Sequence, residues 1–134
     1  MERERPYLRP SWLVSRVINP ILMRLRLVPA LVVRGRRTGQ WRRVPVNVLE
    51  LGDTRYLVAP RGTTEWVRNL RAAGEGQLQR GSHIETFRAT EVPDEEKPPI
   101  IEAYLQRWGG QVRSQFEALP DPADHPVFRI EHTQ

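Results

Sequence analysis

The sequence of 134 residues contains no cysteine, which excludes disulfides, zinc–thiolate sites and catalysis by a thiol. Histidine is also scarce, since His83, His125 and His132 are the only three. They are scattered along the chain without the spacing of metal ligands. We therefore predict that the protein has no metal site.

The chain also lacks a long uninterrupted apolar run. Arg16, Arg24 and Arg26 divide the apolar segment from Trp12 to Val33, and no small-residue cleavage site follows it. This pattern argues against both a signal peptide and a membrane-spanning helix. We expect a cytoplasmic protein.

Acidic residues are missing from one third of the chain. From Arg5 to Leu49 there is no Asp or Glu, whereas the same segment carries ten arginines. Such a segment favours an anionic partner, which could be a phosphorylated cofactor, a nucleic acid or an anionic membrane surface. A solvated basic face without any ligand is the alternative.

The length favours a single domain over residues 1–134, because two ordinary domains need a longer chain. Ser11 can cap an N-terminal helix over about residues 11–27, in which Asn19-Pro20 should introduce a kink. This helix is interpreted as packing on the rest of the fold. A second interpretation is a peripheral helix that contacts a membrane surface.

The remaining pattern predicts mostly antiparallel strands. The predicted strands are Ala30–Arg34, Trp41–Leu51, Thr54–Ala59, Gln77–Arg80, His83–Glu91 and Val127–Ile130. A short helix should begin at Thr63 or Thr64 and stop at Gly74, and a second should bury Ile100, Ile101, Tyr104, Leu105 and Trp108. This order lacks βαβ alternation, so it predicts an α+β fold, mainly antiparallel β, arranged as a barrel with peripheral helices.

Two segments have the composition of an anion site. The turn Gly35–Gly39, followed by Arg42, combines glycines with guanidinium groups that can contact phosphate oxygens in pairs. In Pro60–Arg71 a strand end leads into a helix N-terminus, which attracts anions, and Arg61 lies just before it. Trp66 in this segment is either a core residue or a wall of the site, and the two are compatible.

Together these segments resemble the deazaflavin-dependent nitroreductase and quinone reductase family. The resemblance is carried by Gly35–Gly39 with Arg42–Pro45, by Tyr56–Pro60 and by Trp66–Ala73, and it extends from about Trp12 to Phe128. It implies a split β-barrel and an oxidoreductase that uses reduced coenzyme F-420. Such an enzyme transfers hydride to an electrophilic small molecule such as a quinone or a nitroaromatic compound.

The resemblance also implies the site residues. It places the cofactor's phosphate and acidic tail on Arg37, Thr38 and Arg42, and puts Pro45 and Asn47 beside the ring. Arg61 matches a basic position after the third strand, and Trp66, Asn69 and Arg71 match the helix side of the site. Since the meander should bring both loops to the same end of the barrel, we also predict that Arg37, Arg42 and Arg61 form one phosphate clamp. Asn47 is the catalytic candidate, through a hydrogen bond to the ring or to the acceptor oxygen. Pro60 and Asn47 depart from the nitroreductase pattern, which leaves the acceptor open.

Two other interpretations of the function remain. FMN or haem could occupy the same barrel, or the protein could be a non-catalytic carrier of the cofactor or of a fatty acyl ligand. Nucleic-acid binding is not predicted, because the aromatic residues are not interleaved with the arginines as a stacking surface requires. The sequence does not predict the oligomeric state.

Overall fold

The structure is a computed structural model that describes residues 28–133. The predicted helix over residues 11–27 lies outside the described residues, and so membrane contact through it stays a prediction. The elements are β1 (Ala30–Arg34), β2 (Trp41–Pro45), β3 (Val48–Leu51), β4 (Thr54–Val58), α1 (Glu65–Ala73), β5 (Glu75–Arg80), β6 (His83–Glu91), α2 (Lys97–Ala118) and β7 (Val127–His132). Short 3-10 helices occupy Asp94–Glu96 and Pro122–Asp124.

All seven strands belong to one sheet in the order β2-β1-β5-β6-β7-β4-β3, and every neighbouring pair is antiparallel. The two edge strands, β2 and β3, are consecutive in sequence and are joined only by Val46 and Asn47. The sheet must therefore curl until its edges approach each other. The result is a half-barrel with two helices, and the prediction of an α+β split barrel is confirmed.

The prediction of one strand over Trp41–Leu51 was wrong in one respect. The structure divides this segment into β2 and β3 after Pro45. Proline has no backbone N–H to donate to a continuing ladder, and the next amide, that of Val46, donates to the Pro29 carbonyl at 3.0 Å. The chain then changes from one sheet edge to the other.

Two hydrophobic clusters lie on the two faces of the sheet. The first is packed beneath α1 and consists of Leu31, Val33, Val46, Leu57, Ala59, Val67, Leu70, Leu78, Phe87, Phe128 and Ile130. The second is covered by α2 and consists of Leu49, Val58, Val92, Ile100, Ile101, Tyr104, Val112, Phe116 and Val127. Each helix therefore packs on its own hydrophobic cluster. Within the part of the chain that the structure describes, the β1–β2 turn is hydrogen-bonded to α1 and not to α2.

The helix α1 ends as the sequence predicts. Gly74 adopts the left-handed conformation at φ 72°, and its amide donates to the Leu70 carbonyl at 2.8 Å. Glycine tolerates this conformation because it has no Cβ. The helix α2 continues well past its predicted apolar side to Ala118, with a kink at Trp108, where φ is −122°.

Two findings concern residues 28–133 as a whole. None of the helices described there is long and apolar enough to cross a membrane. No group of three His, Asp or Glu side chains in this part of the chain is arranged to hold a metal ion.

Candidate functional site

A cavity of about 440 Å³ opens between the β1–β2 hairpin and the start of α1. Its lining consists of Val33, Arg42, Arg43, Val44, Arg61, Thr64, Glu65, Trp66 and Asn69. Four of the residues predicted from the sequence, Arg42, Arg61, Trp66 and Asn69, are brought together here. The two sequence segments singled out above thus meet in one place, because β1 packs against α1 and the β1–β2 turn is hydrogen-bonded to Asn69 of that helix.

The N-terminus of α1 contributes a buried hydroxyl group to this cavity. Thr64 is the residue before the first helical turn and is only 6% exposed. Its side chain does not cap the helix, and its Oγ1 has no hydrogen-bond partner among residues 28–133. A buried polar atom without a partner costs free energy, and a hydrogen bond from a ligand atom would remove this cost. The helix dipole beside it favours an anion.

The β1–β2 turn is fixed by its own hydrogen bonds. The Gly35 amide donates to the Gln40 carbonyl at 2.7 Å, and the Gln40 amide donates to Thr38 Oγ1 at 3.2 Å. A Cβ added at Gly35 would lie 3.2 Å from the Gln40 carbonyl and 3.6 Å from Arg42 Nε. Glycine at this position therefore permits the close approach of the Gln40 carbonyl, whereas the distance to Arg42 would be an ordinary van der Waals contact.

Asn69 ties this turn to α1. Its Oδ1 accepts hydrogen bonds from the Arg36 amide at 3.1 Å and from Arg36 Nη1 at 2.8 Å. Arg36 Nη1 also donates to Glu65 at 2.7 Å, and Arg68 lies 3.8 Å from the same carboxylate. The hydrogen bond from Arg36 lowers the pKa of Glu65, which keeps the carboxylate ionised.

The sequence did not single out Arg43, Thr64 or Glu65 as cavity residues, nor Arg36, which lies outside the lining, as the partner of Glu65 and Asn69. Thr64 and Glu65 were interpreted only as a helix start, and Arg36 as one basic residue of the turn. One signal in the sequence could have indicated this ion pair. Glu65 is an isolated acid between the basic residues Arg61 and Arg68, where an ion pair is expected. Among the apolar residues of the lining, Val33 and Val44 had been read only as strand positions.

Several predicted site residues do not line this cavity. Arg37 and Thr38 are exposed in the turn, and Pro45 lies half-buried at the end of β2. Arg71 donates Nε and Nη2 to the Glu91 carboxylate at 2.8 and 2.7 Å. Its side chain is therefore engaged on the flank of the sheet.

Asn47 lies in the connection between β2 and β3 and donates from Nδ2 to the Tyr104 hydroxyl at 3.3 Å. Burial raises the pKa of Tyr104, although the hydrogen bond from Asn47 acts in the opposite direction. The tyrosine is thus a neutral hydroxyl group. This contact joins the corner of the barrel to α2.

Trp66 has two sets of neighbours. It is partly buried against the first hydrophobic cluster, where its ring centroid lies 6.1 Å from that of Phe128 at an angle of 52°. It also lines the cavity. The indole therefore both packs on the core and offers an aromatic wall to a ligand.

The chain is similar to known proteins in its sequence family and in its fold. The family model described as F420H(2)-dependent quinone reductase matches residues 12–118. No curated protein matches the sequence.

Three solved structures show the same fold. A structure described as an F420-H2 dependent reductase (FDR-A) has a TM-score of 0.56 and 21% identity, over 78% of this chain and 93% of its own. A second, described as an F420 reductase, has a TM-score of 0.51 and 16% identity over 94% and 97%. A putative pyridoxamine 5'-phosphate oxidase from Listeria innocua has a TM-score of 0.58 and 17% identity over 91% and 94%. At these identities, the likeness concerns the fold.

Proposed function

Since the chain belongs to the family of F420H(2)-dependent quinone reductases, we propose that it binds reduced coenzyme F-420 in the cavity beside α1 and reduces an electrophilic small molecule. Quinones and nitroaromatic compounds are the acceptor classes that we propose. When bound, the reduced deazaflavin supplies a hydride to the acceptor.

The composition of the cavity is the observation that supports this proposal. Arg42, Arg43 and Arg61 share one lining with the N-terminus of α1 and with the buried, unpartnered Thr64 Oγ1. Guanidinium groups, a helix N-terminus and a hydroxyl donor are the groups that bind phosphate oxygens. The residues present therefore fit an anionic, phosphate-bearing cofactor.

The other side chains have supporting roles in this proposal. Val33, Val44 and Trp66 would exclude water beside the ring and keep it oriented. Arg37 and Thr38 would reach the more distant part of the acidic tail from the exposed turn. Pro45 and Asn47 do not line the cavity, so they would meet the ring only where it extends beyond the lining towards the connection between β2 and β3. Solvent would protonate the reduced acceptor.

Among residues 28–133, Glu65 is the only carboxylate that lines the cavity. It is ion-paired with Arg36 at 2.7 Å and lies 3.8 Å from Arg68. Arg42 and Arg43 form no ion pair with any residue between 28 and 133. Their charge is thus available to an anion that enters the cavity.

Titration with F-420 and, separately, with FMN tests the proposal. Tryptophan fluorescence follows binding, and the variants Trp66→Phe and Trp108→Phe show which indole reports it. We expect saturable binding of F-420 with at least about a tenfold preference over FMN, and a signal that is lost in Trp66→Phe alone. Binding of FMN only would contradict the cofactor assignment.

Turnover separates an enzyme from a carrier. With reduced F-420 and a soluble quinone in excess, we expect the oxidation of the cofactor to depend on the protein and to saturate with the quinone. Tight F-420 binding without any turnover on quinones or nitroaromatic compounds would support the carrier instead.

A further inference from the structure

We propose that His125 is a positioning residue for the anion-binding loop, defined as residues 59–64, and that its ring holds this loop through contacts with the backbone carbonyls of Ala59 and Leu119. The effect on ligand binding rests on the proposed function, whereas the effect on the loop does not.

His125 is fully buried, at 0% exposure, between three parts of the chain. Its Nδ1 lies 2.9 Å from the Ala59 carbonyl oxygen, and its Nε2 lies 2.5 Å from that of Leu119. The imidazole stacks on Phe116 with ring centroids 4.0 Å apart and an angle of 19°. The ring therefore bridges the end of β4, the end of α2 and the start of β7.

A carbonyl oxygen only accepts hydrogen bonds, so a protonated ring nitrogen donates to the carbonyl that it faces. The two carbonyls belong to backbone that follows a regular element, that of Ala59 after β4 and that of Leu119 after α2. The stacking on Phe116 orients the ring between them.

The Ala59 carbonyl that His125 contacts lies at the start of the anion-binding loop. The Ala59 carbonyl also accepts from the Gly62 amide at 3.2 Å, and the Ala59 amide donates to the Pro126 carbonyl at 3.0 Å. The Thr64 amide in turn donates to the Gly62 carbonyl at 2.9 Å. A change at His125 is therefore transmitted within a few bonds to Arg61 and Thr64, both of which line the cavity.

Two variants and a control test this role. His125→Gln keeps one donor, and His125→Phe keeps the ring and its stacking but no donor. His132→Gln, at an exposed histidine on β7, is the matched control. For each protein, NMR gives the ring nitrogen signals and the amide shifts of Arg61, Gly62 and Thr64, and titration gives the F-420 dissociation constant and the saturated turnover.

In His125→Phe the loop amides should shift and the dissociation constant should rise about tenfold, with saturated turnover changed less than about twofold because the reacting atoms are not touched. His125→Gln should lie between His125→Phe and the wild type, and His132→Gln should equal the wild type.

Unchanged loop amides in both His125 variants would overturn the positioning role, whether or not F-420 binds. If neither variant folds, the wild-type NMR spectrum decides, because the absence of any hydrogen-bond coupling between a His125 ring nitrogen and the Ala59 carbonyl carbon contradicts the contact. Absence of F-420 binding by a wild type that shows this coupling would count against the proposed function alone.

Discussion

Arg55 on β4 and Arg42 on β2 are both strand arginines, but their surroundings differ. Arg55 donates Nη1 and Nη2 to the Glu85 carboxylate at 2.9 and 2.5 Å, and His132 lies 3.0 Å from the same carboxylate. Arg42 lines the cavity and pairs with no carboxylate among residues 28–133. The flank of the sheet uses arginine to join strands, whereas we propose that the arginine of the cavity binds a ligand.

The difference shows why charge along the sequence is an incomplete guide to a site. Arg71 belongs to the helix that borders the cavity, yet Glu91 neutralises it from β6. An arginine becomes available to an anion only when no carboxylate from a distant strand reaches it. Removing arginines from the two regions should therefore affect different properties of the protein.

The largest effect is expected at the cavity. Arg42→Ala and Arg61→Ala should each weaken F-420 binding about tenfold, because a charge-assisted contact contributes roughly 1.5–3 kcal/mol. The double variant should lose more than either single variant, but less than their sum, since both contact one anion. Saturated turnover should change much less, because the tail contacts are the same in ground and transition states.

Arg129→Ala on β7 is the control for this pair, because its side chain is 45% exposed and lies 3.7 Å from Glu131 outside the cavity. Titrations at constant ionic strength give the dissociation constants. If the affinities of Arg42→Ala and Arg61→Ala equal that of Arg129→Ala, the cavity arginines are solvated surface and the comparison fails.

A smaller effect, on stability, is expected on the flank of the sheet. The hydrogen bond from Arg55 lowers the pKa of Glu85 from 4.5 to about 2, with a further contribution from His132. Glu85→Gln should therefore reduce the free energy of unfolding by about 1–3 kcal/mol at neutral pH. Because the folded-state pKa is the lower one, this stabilisation is present above 4.5 and is lost as the pH falls towards 2.

Urea denaturation of the wild type and Glu85→Gln across this acidic range measures the difference. Glu102→Gln, at an exposed position on α2, removes the same charge elsewhere and should show no comparable pH dependence. A difference between wild type and Glu85→Gln that stays constant down to the lowest pH would contradict the role of the ionised carboxylate.

The smallest effect is expected for Arg71→Ala. Its ion pair with Glu91 is exposed, at 46% and 35% of the two side chains, and such pairs contribute less than about 1 kcal/mol. F-420 affinity should change less than about twofold, because Arg71 does not line the cavity. Thermal unfolding and titration measure the two quantities. A tenfold loss of affinity would instead support the position beside the cofactor that the family resemblance implies.

Local signals predicted much of the fold. The bounds of β1 and β6 agree with the prediction because β-branched residues, alternation and glycine turns mark them in the sequence. The division of Trp41–Leu51 was missed, since alternation continues through a point where the chain changes sheet edge. The extension of α2 was also missed, because Gly109 and Gly110 disfavour a helix that Val112 and Phe116 stabilise through core packing.

The sequence by itself determined the family, the half-barrel of antiparallel strands and the two segments that form the cavity, because these follow from short motifs and from periodicity. Only the tertiary structure decided that Arg42, Arg61, Trp66 and Asn69 share one lining, whereas Arg71 is held by Glu91, a residue 20 positions away. The physical reason is that the direction and the partner of a side chain depend on strand order and register. Those quantities join residues that no local pattern connects.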